Sequence, residues 1–254
     1  MKIAAVETYP LLYKSNEPYG DANGLKKYRS AFLIRIMTED GIDGWGECAD
    51  YLPLLAAGFR DRIIPYVTGK SALKRTELTR TIGMWHQRAA AAVSMALVDI
   101  AAKAAGLHLC ELWGGRLCDQ VPVYASFQSY TSRSDWRQRS LSTIGRAVED
   151  GCLMAKIKIG GRSWNEDKQH VVAVQSEYGD RLKLILDANQ SYDAAAARRW
   201  SALLDCWSNV LWLEEPLPFR LTEEYRLLRG AMCVPVAGGE NMKGAHDFLP
   251  LLNG

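Results

Sequence analysis

From residue 121 onward the chain alternates between short apolar runs and stretches of helical period. The runs are Val121–Phe127, Met154–Gly160, Leu182–Asn189, Val210–Leu217 and Val234–Glu240. Helical stretches lie near 136–150, 165–178, 193–206 and 222–230, with a last one at His246–Leu252. Repeated strand–helix units imply a parallel sheet, whose ligand site sits at the carboxyl ends of its strands. A doubly wound sheet fits the same alternation. However, no G-x-G-x-x-G follows the first strand and no Walker loop is present, so a nucleotide-binding fold has little support.

The first 120 residues follow another pattern. Lys2–Tyr9, Ser30–Thr38 and Gly44–Cys48 read as strands of an antiparallel meander, with a turn at Glu39-Asp40-Gly41. Lys14–Lys27, rich in Gly, Asn, Pro and charge, reads as a long polar loop of the kind that serves as a lid or binding loop. Residues 60–105 read as helices. The strongest is Trp85–Ala105, with Val93, Leu97, Ile100 and Ala104 at helical spacing and Gly106 as its C-cap.

Composition excludes several classes. With 48% apolar residues and a net charge of +2, the chain can bury a large core and carries no basic footprint for nucleic acid. The alanine-rich stretch at 89–102 is interrupted by Ser94 and Asp99 and is too short to span a bilayer. Glu7 comes too early for a secretory signal, so a soluble cytoplasmic protein with no membrane partner is expected. Cys48, Cys110, Cys118, Cys152, Cys206 and Cys233 form no C-x-x-C pair and read as buried thiols. His86, His108, His170 and His246 show no ligand spacing and read as structural or exposed.

The informative feature is charge at strand ends, where burial is costly and a site repays it. In Ala155-Lys156-Ile157-Lys158, alternation puts Lys156 and Lys158 on one face. With anchor points roughly 6–7 Å apart, their repulsion is on the order of 2 kcal/mol, enough to lower a lysine pKa by between one and two units toward general-base range. Taken alone, the pair is equally compatible with two surface lysines on an edge strand. The next three strands each offer a carboxylate near the carboxyl end: Asp187, Glu214 and Glu240. Three converging carboxylates call for a cation, and all-oxygen ligation suits Mg²⁺, with Mn²⁺ as the alternative. Glu215 faces away from Glu214 and is expected in a structural pair.

At this point the chain resembles the enolase superfamily, in its mandelate racemase and muconate lactonizing enzyme branch. The resemblance rests on T-E-D-G-I-D-G-W-G-E-C at 38–48, K-x-K at 156–158, D-A-N at 187–189, E-E-P at 214–216 and G-G-E-N at 238–241. It implies an α/β fold: an N-terminal α+β capping domain over 1–118, and a modified (β/α)7β TIM-like barrel over 119–254. It also implies Mg²⁺ ligands at Asp187, Glu214 and Glu240, Lys158 as the catalytic base with Lys156 beside it, and Asn189 next to the metal. Enolase-superfamily sites with a Lys or His base and one or two Mg²⁺ ions are an established pattern. Tyr19, Asp21 and Tyr51 would shape the choice of a small carboxylate substrate, and a homo-oligomer is the expected assembly. A glutamate as third ligand leans toward the mandelate-racemase-like subgroup of acid-sugar dehydratases and 2-hydroxy-acid racemases, acting through an enediolate.

Only about five barrel strands are present, and five cannot close, so the barrel is expected to be incomplete and the sequence C-terminally truncated. The resemblance places the second acid/base, a histidine or lysine, on later strands. Cycloisomerase and epimerase chemistry, or a catalytically incompetent relative that retains the metal site, are therefore the alternatives.

Overall fold

The first element is a hairpin far longer than the alternation predicts. Strand β1 covers Ile3–Asp21 and β2 covers Gly24–Thr38, so the expected loop at Lys14–Lys27 is instead the hairpin's end. The Asn23 amide donates to Asp21 Oδ1 at 2.9 Å, and Gly24 takes φ +112°, which closes the turn. Ladder bonds satisfy the backbone there, so polar residues can extend the ribbon without an apolar face. Composition alone hid this strand.

The structure described is that of residues 1–252 of a computed structural model. It comprises two units, Met1–Lys14 with Tyr28–Val121, and Ser15–Lys27 with the residues from Pro122 onward. The hairpin tip thus groups with the second unit and not with the rest of the 1–118 segment.

In the first unit β3 (Asp43–Cys48) pairs antiparallel with β2, from Phe32↔Cys48 to Met37↔Asp43. Helix α1 (Leu52–Gly58), a π-helical turn at Phe59–Ile63, α2 (Ile64–Val67), α3 (Arg75–Trp85) and α4 (Gln87–Ala105) follow. A Cβ on Gly44 or Gly46 would lie 2.1 Å from Ala96 O or 2.0 Å from Ala92 O, so glycine is what lets β3 meet α4. Ile3, Phe32, Ile34, Ile36, Val93 and Ile100 are fully buried in this core. The expected single helix Trp85–Ala105 is broken at His86, whose backbone is extended and whose Nδ1 accepts from the Ala89 amide at 3.1 Å. A histidine N-cap thereby ends one helix and starts the next. Gly106 caps α4 in the left-handed region, as expected, and α5 (Leu109–Leu112) follows.

The second unit contains β4 (Ala125–Ser126), β5 (Tyr130–Thr131), α6 (Trp136–Glu149), β6 (Met154–Lys158), α7 (Trp164–Tyr178), β7 (Lys183–Asp187), α8 (Ala194–Leu204), β8 (Val210–Glu214), α9 (Thr222–Ala231), β9 (Val236–Ala237) and α10 (Ala245–Leu252). Strands β4-β6-β7-β8-β9 form the parallel sheet, which bears out the five barrel strands. The two outer strands are only two residues long, so Val121–Phe127 and Val234–Glu240 are mostly loop. One face of the sheet carries Ala155, Ile157, Leu184, Leu186 and Leu213, packed with Ile144, Val171, Val174, Trp200 and Leu204. The opposite face carries the charged residues. Tyr19 and Gly20 of the tip pair antiparallel with Thr131 and Tyr130 of β5.

Among the described residues no helix is long and apolar enough to cross a membrane. The cysteines are free, but only Cys48 is buried; Cys110, Cys118, Cys206 and Cys233 are exposed, against expectation. Those four lie in or beside short connecting segments and helix ends, where chain geometry sets exposure more than side-chain polarity does.

Candidate active site

Parallel pairing places three of the predicted residues on one rung. Lys158 is opposite Asp187, Asp187 opposite Glu214, and Glu214 opposite Ala237. Residues in register on neighbouring strands face the same side, so Lys158, Asp187 and Glu214 converge. Lys156 stands two residues earlier on that face, on the rung it shares with Ser126 and Ile185.

The four side chains are ion-paired. Lys158 Nζ donates to Asp187 Oδ2 at 2.5 Å, and Lys156 Nζ lies 3.3 Å from the same oxygen and 2.8 Å from Glu214 Oε1. Asp187 is fully buried, and both lysines are buried as well. The repulsion between the lysines, read from the sequence as a pKa-lowering effect, does not prevail at Lys156. Burial lowers the Lys156 pKa, but the Glu214 hydrogen bond and the Asp187 charge outweigh it and raise the pKa above the usual lysine value.

Neighbours hold these groups in place, and several escaped the sequence reading. The Lys158 amide donates to the buried Ser129 Oγ at 2.7 Å. Trp212 Nε1 donates to Glu214 Oε2 at 2.9 Å, so Glu214 is held through both oxygens. Tyr124 packs edge-on against Trp212 and lies 5.6 Å from the Lys156 ammonium. Strand alternation could have flagged Trp212, which is two residues before Glu214 on the same face. Ser129 is in irregular chain and carries no such signal, while Tyr124 lies just before β4 within the run read as a strand.

Glu240 lies three residues past β9 and is exposed. Asn189 Nδ2 donates to Glu240 Oε1 at 3.4 Å, while the Asn189 amide donates to Asp187 Oδ1 at 3.0 Å, so Asn189 links the two carboxylates. Asn189, Gln190 and Glu215 all take left-handed φ, at 44°, 65° and 43°. Such backbone costs on the order of 1–3 kcal/mol per residue and persists where the surroundings impose it. Here the Gln190 amide donates to Glu215 O at 2.7 Å. Glu215 is buried. Its partner is the neutral Gln190 amide at 3.3 Å, and burial together with nearby Glu240 raises its pKa.

Among the described residues no three His, Cys, Asp or Glu side chains are placed to hold a metal ion as they stand. The two ammonium groups balance the Asp187 and Glu214 carboxylates instead. The donor chemistry nevertheless fits Mg²⁺. The carboxylates of Asp187, Glu214 and Glu240 are joined by Asn189 Oδ1, which is buried without a hydrogen-bond partner.

Of the residues expected at the substrate, Asp21 is buried and bound by Lys26 Nζ at 2.7 Å. Burial raises its pKa, yet Lys26, the Asn23 amide and the charge of Lys158 bring it below the usual carboxylate value. The tip therefore lies within the field of Lys158. Tyr19 is half-buried beside it on β1. Tyr51 stands exposed at the start of α1, in the first unit.

Comparison with known proteins agrees with this geometry. The family pattern described as "Mandelate racemase / muconate lactonizing enzyme, N-terminal domain" matches residues 6–114, and "Enolase C-terminal domain-like" matches 141–254. The chain belongs to this family. Its relatives and structural neighbours include lyases, isomerases and epimerases. The chain is 29% identical to D-galactarolactone cycloisomerase of Agrobacterium fabrum, over 100% of its own length and 68% of the relative's. A solved enolase-superfamily structure from a Polaromonas species superimposes with a TM-score of 0.86 at 27% identity, covering 100% of this chain and 69% of that one. L-talarate/galactarate dehydratase of Salmonella typhimurium, solved with Mg and L-lyxarohydroxamate, matches in fold with a TM-score of 0.87 at 23% identity, covering 99% and 68%.

Proposed function

We propose that this protein performs Mg²⁺-dependent removal of the α-proton from a small carboxylate substrate, with Lys158 as the base. The observation that carries the reading is the single rung of Lys158, Asp187 and Glu214, with Lys156 beneath it. Asp187, Glu214 and Glu240 would hold the ion, and Asn189 would orient them. When bound, the ion supplies positive charge against the second negative charge that deprotonation puts on the substrate carboxylate.

The chain's own residues divide the remaining work. Acting as the free amine, Lys158 Nζ takes the proton as the substrate C–H bond breaks, and the electron pair of that bond stays on the substrate. Lys156, held charged by Glu214 and Asp187, adds a fixed cation that needs no reorganisation when charge develops. Asp21 and Tyr19 bound the substrate from the hairpin tip. Two relatives are named for sugar-acid chemistry, a galactarolactone cycloisomerase and a talarate/galactarate dehydratase, which supports a polyhydroxy acid as substrate. Acid-sugar dehydration or 2-hydroxy-acid racemisation would share this first step.

The test is deuterium incorporation at the α-carbon in D₂O across a library of sugar acids and 2-hydroxy acids, with and without Mg²⁺. Metal-dependent exchange that falls about 10²- to 10⁴-fold in Lys158→Ala is expected. Full exchange in Lys158→Ala would remove Lys158 from the role of base.

A further inference from the structure

Asp167 is fully buried, and the chemistry above does not use it. It lies in the first turn of α7, four residues after the capping Ser163. A carboxylate at that depth is costly unless donors meet it. The Tyr130 hydroxyl donates to it at 2.6 Å, the Gly160 amide at 2.7 Å and the Tyr192 hydroxyl at 3.4 Å. The Arg162 amide adds a further bond, and together these donors oppose the rise in pKa that burial causes.

These donors come from segments on both sides of the site. Gly160 and Arg162 belong to the loop that leaves β6 just after Lys158. Tyr130 belongs to β5, where it pairs with Gly20, the neighbour of both Tyr19 and Asp21. The contact is close: the Gly161 amide donates to the Tyr130 hydroxyl at 3.2 Å, and a Cβ on Gly161 would fall 2.4 Å from the Tyr130 ring. Ser129, next to Tyr130, accepts from the Lys158 amide.

We propose that Asp167 is a positioning residue that ties the hairpin tip, through Tyr130, to the strand end carrying Lys158. The tip and the lysine then keep one spacing around whatever lies between them. Calling these two parts substrate-facing rests on the function proposed above, while the tie itself does not.

The test is amide hydrogen exchange on the full chain. Asp167→Asn keeps the side-chain size but turns a donor toward Tyr130 or Gly160. Exchange at Ser15–Lys27 and at Gly160–Ser163 is expected to accelerate together, by about ten- to a hundredfold, with β7 and β8 unchanged. Tyr130→Phe, which removes only the hydroxyl, should give the same pair of changes at smaller size. Tyr192→Phe should leave the tip protected. If Asp167→Asn loosens only the start of α7, the carboxylate is a helix cap and the proposal fails; if that variant does not fold, Tyr130→Phe decides by the same criterion. In the α-proton assay both variants should raise KM, and unchanged KM in both would overturn the positioning role. Absence of exchange in the unmodified protein would count against Lys158 as base, and the hydrogen-exchange pattern would still decide the tie.

Discussion

Lys158 and Asp187 are paired across the β6–β7 ladder, Nζ to Oδ2 at 2.5 Å, on the rung that Asp187 shares with Glu214. The proposed base and a proposed metal ligand are thus hydrogen-bond partners. A cation held by Asp187 and Glu214, as proposed, would compete with the ammonium groups for the same oxygens.

Mg²⁺ should therefore stabilise the fold through Asp187. At a free concentration about 100 times its Kd, a ligand specific for the native state contributes about 2.7 kcal/mol, or roughly 5–10 °C in Tm for a chain of this size. Calorimetry with and without Mg²⁺ should show this shift, and Asp187→Asn should abolish it. An unmodified protein whose Tm ignores millimolar Mg²⁺ would contradict the metal reading.

Lys156 should shape the alkaline limb of stability. Its pKa is raised on folding, so its contribution is complete below the unfolded lysine value near ~10.4 and is lost as pH rises through the higher folded value. Urea midpoints measured from pH 9 to 11.5 should fall less steeply in Lys156→Met than in the unmodified protein. Parallel profiles would show that the pairing with Glu214 and Asp187 adds nothing.

His170 should govern part of the acid limb. It is fully buried between α6 and α7, with Nε2 3.0 Å from Ser140 Oγ, and burial lowers its pKa to about 4. Because the folded value is depressed, this stability is present above the unfolded value near ~6.5 and drains as pH falls toward 4. The loss is about 3 kcal/mol across that window. Denaturant titrations of His170→Gln between pH 7 and 4 should show a correspondingly flatter slope.

Gly160→Ala should be more damaging than an ordinary loop substitution. Gly160 has φ +88°, and an added Cβ would collide with the Ser191 side chain. A loss of at least about 1–3 kcal/mol is expected from the backbone alone, with the clash in addition. Chemical denaturation measures it. Gly151→Ala has a similar φ of +90° with nothing within 4 Å, and it isolates the backbone contribution.

Lys156, Lys158, Asp187 and Glu214 were legible in the sequence because two-residue alternation assigns a face and an apolar run assigns a strand. Glu240 was legible as a motif but not as a place, since its strand ends at Ala237 and a glycine pair carries the chain onward. The hairpin tip was misread because ladder bonds, rather than apolar side chains, hold it. Its turn signal, Asp21-Ala22-Asn23-Gly24, was nonetheless present. Asp167 gains its meaning from Tyr130, 37 residues away, whereas Trp212 meets Glu214 only two residues on and could have been read from alternation. No local pattern reports a partner as distant as Tyr130 is from Asp167. The break at His86 was hidden because alanine-rich periodicity runs through it, and only the extended backbone and the Nδ1 bond reveal the cap.

The shared rung has a consequence for how this chain can change. Loops between the strands can lengthen or shorten without altering which side chains meet. A single deletion inside β7, however, would turn Leu186 toward the lysines and Asp187 into the apolar layer. Spacing within strands is thus an address, and spacing between them is free for new substrates to be explored.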